Sequence, residues 1–285
     1  MQWFDWIRRA GRRLRKITAF GRTGLAIPDK LKMLVIGYAR GHNFGSNDVI
    51  SRVGRTLFPE IAVRPSSLGG LTLHLDPSDL SHLAVADEIL LQKVYDLGLV
   101  PFTPDLILDC GAHIGMFTLL AATRFPKSRL VAFEPDPENC RWIEKQICAN
   151  RLQAELLSVA VSTHEGKALF QAGRGCGGAL IEEPGQTHDA ITVNTLDLGT
   201  FIGTLRPQRL LLKLDVEGAE EKLLPAIVDV LPQDCVLFFE THRGEQSWQP
   251  LSALLREHGL AVTPIRQRDV YTDGVAIRSS GSNTR

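Results

Sequence analysis

No sign of charge dominates this chain: 32 lysines and arginines stand against 32 aspartates and glutamates. That balance excludes a uniformly basic binder of nucleic acid. Cysteine is scarce and odd in number, five in all at Cys110, Cys140, Cys148, Cys176 and Cys235, with no CxxC pair. A disulfide framework or structural zinc site is therefore not expected, and a reducing, cytoplasmic setting is. No run of about 18 apolar residues occurs, so no transmembrane helix is expected. The first residues lack the unbroken apolar stretch of a secretory signal. His42, His74, His82, His164, His188 and His258 show no metal-ligand spacing with acids, and no metal site is expected. Internal repeats and low-complexity segments are absent as well.

What is present suits one large domain with a lead-in. The chain has 285 residues, 44% of them hydrophobic, enough to bury a core of its own. The boundary falls between residues 1–58 and 59–285. The zero net charge hides an asymmetry. Residues 1–22 hold seven arginines and lysines against Asp5 alone, a local +6 that leaves −6 for the rest. Trp3, Ile7, Ala10, Leu14 and Ile17 recur there at helical spacing, which predicts a basic amphipathic helix. Such a helix docks on something acidic. An anionic membrane surface touched peripherally, the chain's own domain and a second copy in a homodimer all remain open as its partner.

Residues 61–75 predict two short strands around Ser67-Leu68-Gly69-Gly70, and 84–97 a helix. From residue 106 strands and helices alternate. Strands are predicted at 106–108, 130–133, 155–161, 210–214 and 235–240. Helices are predicted at 115–125, after Asp136-Pro137, and at 219–231 and 249–258. An antiparallel pair at 260–266 and 273–278 closes the chain. Repeated βα units imply a doubly wound, mostly parallel sheet with helices on both faces.

Ligands of such sheets bind at the carboxyl ends of the strands. Asp109-Cys110-Gly111-Ala112-His113-Ile114-Gly115 stands at one such end. Its glycines let a ligand approach the backbone, and the next helix offers free N–H groups. The spacing is GxxxG after an acid, not the GxGxxG of a dinucleotide fold. Asp109 suits an ammonium group. Glu134 ends the next strand, 19 residues beyond Gly115, where a carboxylate can grip both hydroxyls of a ribose. Together the two motifs point to a nucleoside-bearing ligand. A third string, Lys213-Leu214-Asp215-Val216-Glu217-Gly218-Ala219-Glu220, ends another apolar strand and enters a helix. Acids there equally suit a helix dipole.

The strings LDCGAHIGMFT, AFEPDPEN, TVNTLD and KLDVEGAE resemble the successive motifs of the FkbM-like SAM-dependent methyltransferase family, over roughly residues 60–242. The resemblance implies a class I methyltransferase fold, an α/β Rossmann-like sheet of about seven strands with the last antiparallel. It also implies S-adenosyl-L-methionine (SAM) as cofactor. The implied reaction is O-methylation of a hydroxyl on a sugar, glycan or secondary metabolite. Asp109, Gly111 and Gly115 then hold the methionine end and Glu134 the ribose, with Val159 and Ala160 flanking the adenine. His113 stands where the family often has Asn, within reach of the methionine end or as a plain loop residue.

Methyl transfer displaces in line at a sulfonium carbon, so the protein must align the acceptor and take a hydroxyl proton. Asp215 and Glu217 are the candidate bases, with Lys213 as charge partner. His242, which with Glu240 ends a further strand, is the next candidate. The Asn/Asp-Pro-Pro-aromatic string of enzymes that methylate base amino groups is missing, as is a Pro-Cys nucleophile. The expected acceptor is a small molecule or glycan, with no nucleic acid involved. A non-catalytic nucleoside-binding scaffold of the same fold is the main alternative. An NAD-dependent oxidoreductase is disfavoured by the glycine spacing. Residues 172–178, with four glycines, suit a lid over the substrate or a long hairpin loop.

Overall fold

The computed structural model describes residues 60–76, 79–172, 178–181 and 190–280. The lead-in helix, Cys176 and the centre of the glycine-rich loop lie outside the described residues.

The core is a seven-stranded sheet. Its strands are β3 (Leu106–Cys110), β4 (Arg129–Phe133), β5 (Ala154–Leu157), β10 (Arg209–Leu214), β11 (Asp234–Thr241), β12 (Ala261–Gln267) and β13 (Thr272–Arg278). Their spatial order is β12-β13-β11-β10-β3-β4-β5. The pairs from β11 to β5 are parallel. Only β13 runs against its neighbours. This is the doubly wound class I architecture, with the last strand of the chain antiparallel.

Burial on both faces is why these strands read as unbroken apolar runs rather than alternating ones. Alternate residues serve different cores. Ile107, Leu211, Val236 and Phe238 pack with Met116, Phe117 and Leu119 of α2 (Met116–Arg124). They also meet β1 (Ile61–Val63) and β2 (Leu73–Leu75), which pair as the predicted hairpin. Leu108, Leu210, Leu212 and Leu237 face the other way. They pack against α4 (Leu198–Leu205), α5 (Glu220–Ile227) and α6 (Glu245–Glu257). α3 (Pro137–Asn150) begins as predicted: Asp136 Oδ1 accepts from Glu138 N at 2.8 Å, and Pro137 takes the first position.

Some elements differ from the sequence reading. α1 (Leu80–Asp87) starts four residues earlier, because Asp79 caps it by accepting from Ser81 N at 2.7 Å. It continues as a π turn through Gln92 and stops at Lys93, whose φ is 53°. α6 likewise opens one turn before Pro250, after Gly244 with φ 55°. The strand expected at 155–161 is broken. Val159 N turns back to Leu157 O at 2.9 Å, a bend of the γ-turn kind. After the bend, β6 (Ala160–Ser162) leaves the main sheet. It joins β7 (Gly166–Gln171), β8 (Ala179–Ile181) and β9 (Ala190–Asp197) in a second sheet of order β6-β9-β7-β8.

Candidate active site

The carboxyl ends of β3, β4, β10 and β11 open into one cleft of about 340 Å³. Gly111 fixes its floor. Its φ is 77°, and a Cβ there would fall 1.9 Å from the carbonyl oxygen of Asp215. No side chain fits, so the loop after β3 and the loop after β10 touch backbone to backbone. The ladder brings this about, since Lys213 pairs with Asp109 and Leu214 with Cys110.

Beneath that contact lies Lys213. Its Nζ donates to Gly111 O at 2.7 Å and stands 3.5 Å from Asp109 Oδ1 and 3.6 Å from Asp215 Oδ2. Burial works against its charge, but Asp215 and Asp109 outweigh it and hold the ammonium above its usual range. Asp109 is wholly buried, and its other oxygen accepts from Thr118 Oγ1 at 2.7 Å. Burial pushes its carboxyl up, with Lys213 pulling the other way. Asp109 thus sits under the cleft, holding Lys213 and α2, while Gly111, Ala112 and His113 border the cleft itself. Gly115, with φ 80°, shapes the start of α2 against Ile143.

Glu134 borders the cleft and ties its walls together. Oε2 accepts from His113 N at 2.7 Å and Oε1 from Asp136 N at 2.9 Å. Sequence reasoning gave this carboxylate to a ligand or to solvent, yet here it also orders two loops. Burial outweighs those amides and pushes its pKa up to about 7. His113 adopts φ 51°. Ser81 Oγ gives its proton to Asp79 at 2.7 Å and lies 3.2 Å from His113 Nε2. That order makes Nε2 the donor and leaves Nδ1 bare, buried and without a hydrogen-bond partner. Burial, with His82 beside it, lowers the His113 pKa to about 4. Val159 and Ala160, at the break between the two sheets, line the same half of the cleft.

The other half is acidic. Asp215 Oδ2 accepts from Tyr95 Oη at 3.0 Å. Glu217 has φ 55° and lies 3.2 Å from His242 Nε2. Lys213, expected as charge partner of both acids, touches Asp215 but not Glu217, because it is drawn under the Gly111 loop. His242 takes that place. It also stands 3.4 Å from Glu220 and 3.5 Å from Glu240. Burial opposes its charge, yet Glu220, Glu217 and Asp215 push it up to about 10. Burial pushes Glu217 up to about 7 against the pull of His242. Glu240 is raised by burial, with Asp215 and Asp273 adding to it. Glu220, wholly buried in the first turn of α5, accepts from Val216 N at 2.7 Å and Gly218 N at 2.8 Å and so sets the loop.

Sequence reasoning missed Tyr95, Arg266 and Asp273, all of which line this half. Arg266 Nε donates to Asp273 Oδ2 at 2.5 Å, and one of its terminal nitrogens to Glu88 at 2.9 Å. The one available signal was Asp273 itself, an acid at the start of β13, just before the apolar Val275-Ala276-Ile277.

The pattern of the methyltransferase FkbM domain family matches residues 109–260. The AMB antimetabolite synthetase AmbE of Pseudomonas aeruginosa is 28% identical over 235 residues, covering 67% of this chain and 11% of the synthetase. Methyltransferase 1 of Beauveria bassiana is 29% identical over 173 residues, 50% of this chain and 66% of that protein. The chain therefore spans less than two thirds of the length of either relative. Among solved structures, a methyltransferase FkbM from Methylobacillus flagellatus is 15% identical, with a TM-score of 0.44. It covers 64% of this chain and 46% of its own.

Proposed function

The chain belongs to the FkbM methyltransferase domain family, and from that premise we propose that it transfers a methyl group from SAM to a hydroxyl of a sugar, glycan or secondary metabolite. When bound, that cofactor supplies a methyl group on a cationic sulfur, ready for in-line displacement. The residues fit it. A cleft of about 340 Å³ is of ligand-pocket size. Gly111 leaves backbone exposed to a ligand, and Glu134 Oε2 keeps a spare lone pair beyond the His113 amide, while Oε1 accepts from both Asp136 N and Asn139 Nδ2. On this reading Gly111, Ala112 and His113 hold the methionine end, Glu134 the ribose, and Val159 and Ala160 the adenine. Asp109 and Gly115 act through the loop they shape. Asp109 acts by fixing Lys213.

The observation that carries the reading is the Gly111–Asp215 backbone contact. It puts a glycine loop and a set of acids on one floor, so a nucleoside ligand and a second substrate meet there. The acids divide the work. Asp215 is held by Tyr95 and Lys213, which suits it to orient the acceptor. Lys213 is buried, cationic and spent on the loop, so it positions rather than reacts. His242, a cation among three carboxylates, orients Glu217. Glu217 has His242 as its sole ion-pair partner among the described residues, and it is the carboxylate placed to take the hydroxyl proton.

Calorimetric titration with SAM and with NAD tests the cofactor, and transfer of labelled methyl to metabolite and glycan fractions tests the reaction. Binding of SAM alone with label on an alcohol oxygen is expected. Failure to bind either ligand would replace this reading with a non-catalytic scaffold.

A further inference from the structure

We propose that Asp215, Glu240 and His242 bind one divalent cation, Mn²⁺ foremost, on the acceptor side of the cleft. One oxygen from each acid and one imidazole nitrogen lie within 4.8 Å of one another. They hang from the ends of the adjacent parallel strands β10 and β11, a rigid base for a coordination site. Ligands at about 2.1 Å from an ion sit roughly 3 Å apart when adjacent and 4.2 Å when opposite. Small side-chain turns reach that geometry from the separations seen here. Sequence spacing alone pairs only Glu240 and His242, two residues apart at the end of β11; folding adds Asp215.

A second observation points the same way. Asp273 lies directly across the β11–β13 ladder from Glu240. Like-charged residues in that relation oppose each other. Asp273 is 1% exposed and lines the cleft. Arg266 takes its Oδ2, and the Glu240 carboxyl bonds to the same side chain. Two buried acids set against each other need a proton or a cation between them. A cation between Asp215 and Glu240 supplies that charge. Two carboxylates and an imidazole, with no thiolate, suit Mn²⁺ better than all-oxygen Ca²⁺ or the softer metals.

The site rests on the reading above and deepens it. An ion there displaces the proton of His242 and replaces its positive charge beside Glu217. It takes an acceptor hydroxyl as a ligand and lowers its pKa, and Glu217 removes the proton. An acceptor with neighbouring oxygens, such as a vicinal diol or hydroxy acid, is the substrate class it favours.

The test is Mn²⁺ titration of the SAM-free, full-length protein, with free ion counted by electron paramagnetic resonance. One bound Mn²⁺ per chain is expected, with affinity at least tenfold weaker in Glu240→Gln and in His242→Gln. Asp273→Asn, which leaves all three ligands in place, is expected to weaken it severalfold and guards against misfolding of the other two. Glu257→Gln on remote α6 is expected to change nothing. Absence of stoichiometric Mn²⁺ binding, or binding equal in all four variants, overturns the site. SAM binding measured in parallel separates the two readings. SAM without Mn²⁺ sinks the ion alone, and Mn²⁺ without SAM sinks the cofactor reading alone.

Discussion

Glu134 and Glu217 carry the same side chain at the same rim, and burial raises both carboxyls to about 7. Their surroundings differ. Glu134 accepts two backbone amides from loops at either side of it. Glu217 faces a protonated histidine shared with Glu220 and Glu240. In the glycine-loop half of the cleft, side chains hold backbone. In the acidic half, side chains mostly hold one another. A half built from backbone is rigid and recognises shape. A half built from side-chain charges can trade a proton or a cation.

If the glycine-loop half is rigid, its floor tolerates no atom. Gly111→Ala is the largest expected effect, because the new Cβ meets a backbone oxygen at 1.9 Å and φ is 77°. A loss of more than about 4 kcal/mol in urea unfolding is expected, with SAM affinity gone. Gly218→Ala in the acidic half meets nothing within 4 Å. Only the strained φ of 99° remains, about 1–2 kcal/mol. Equal costs at the two positions would erase the contrast.

The acidic half is expected to show the reverse signature. Glu217→Gln keeps fold and SAM affinity within a few fold and lowers turnover about 100-fold, the scale of a lost general base. Collapse of SAM affinity instead would move Glu217 to the cofactor side. Normal turnover would return the role to Asp215.

The rigid half also predicts a hidden pH balance between two touching groups. Glu134 is raised to about 7 from 4.5, so the folded state holds its proton better, and stability falls as pH climbs through that window. His113 is lowered to about 4 from 6.5, so stability falls as pH drops through its window. The slopes oppose each other between about 4.5 and 6.5, each on the order of 3 kcal/mol in full. The wild type should therefore be nearly flat there. Glu134→Gln should lose melting temperature on acidification, and His113→Asn should gain it. Variants that both follow the wild-type profile would refute the balance.

The sequence disclosed these halves unequally, for a physical reason. Each motif of the glycine-loop half lies within a few residues of a strand end, so apolar run, glycine and acid are read in one glance. The strands of the main sheet were legible because buried parallel strands are unbroken apolar runs. Partly exposed β6 to β9 carry no such pattern, and the bend at Val159 that starts their sheet has no glycine or proline to mark it. The acidic half draws Tyr95, Asp215, Glu240, Arg266 and Asp273 from segments up to 178 residues apart in sequence. Only folding makes them neighbours.

Tyr95→Phe gives the smallest expected effect and tests whether the acidic half is ordered from outside. The ring is held whatever its hydroxyl does, edge-on to Phe117 at 5.3 Å and Phe238 at 5.7 Å. Phe therefore keeps the packing and removes only the donor to Asp215. A hydrogen bond to a charged group contributes about 1.5–3 kcal/mol when buried. The Asp215 side chain is 25% exposed, so water replaces part of that. Stability should change by less than about 1 kcal/mol, SAM affinity should hold, and turnover should fall three- to tenfold as Asp215 loses one of its two anchors. The loss should appear in kcat more than in KM, because the acid is present but less well aimed. If Tyr95→Phe turns over like wild type, Lys213 alone fixes Asp215, and the acidic half is as rigidly held from beneath as the glycine loop.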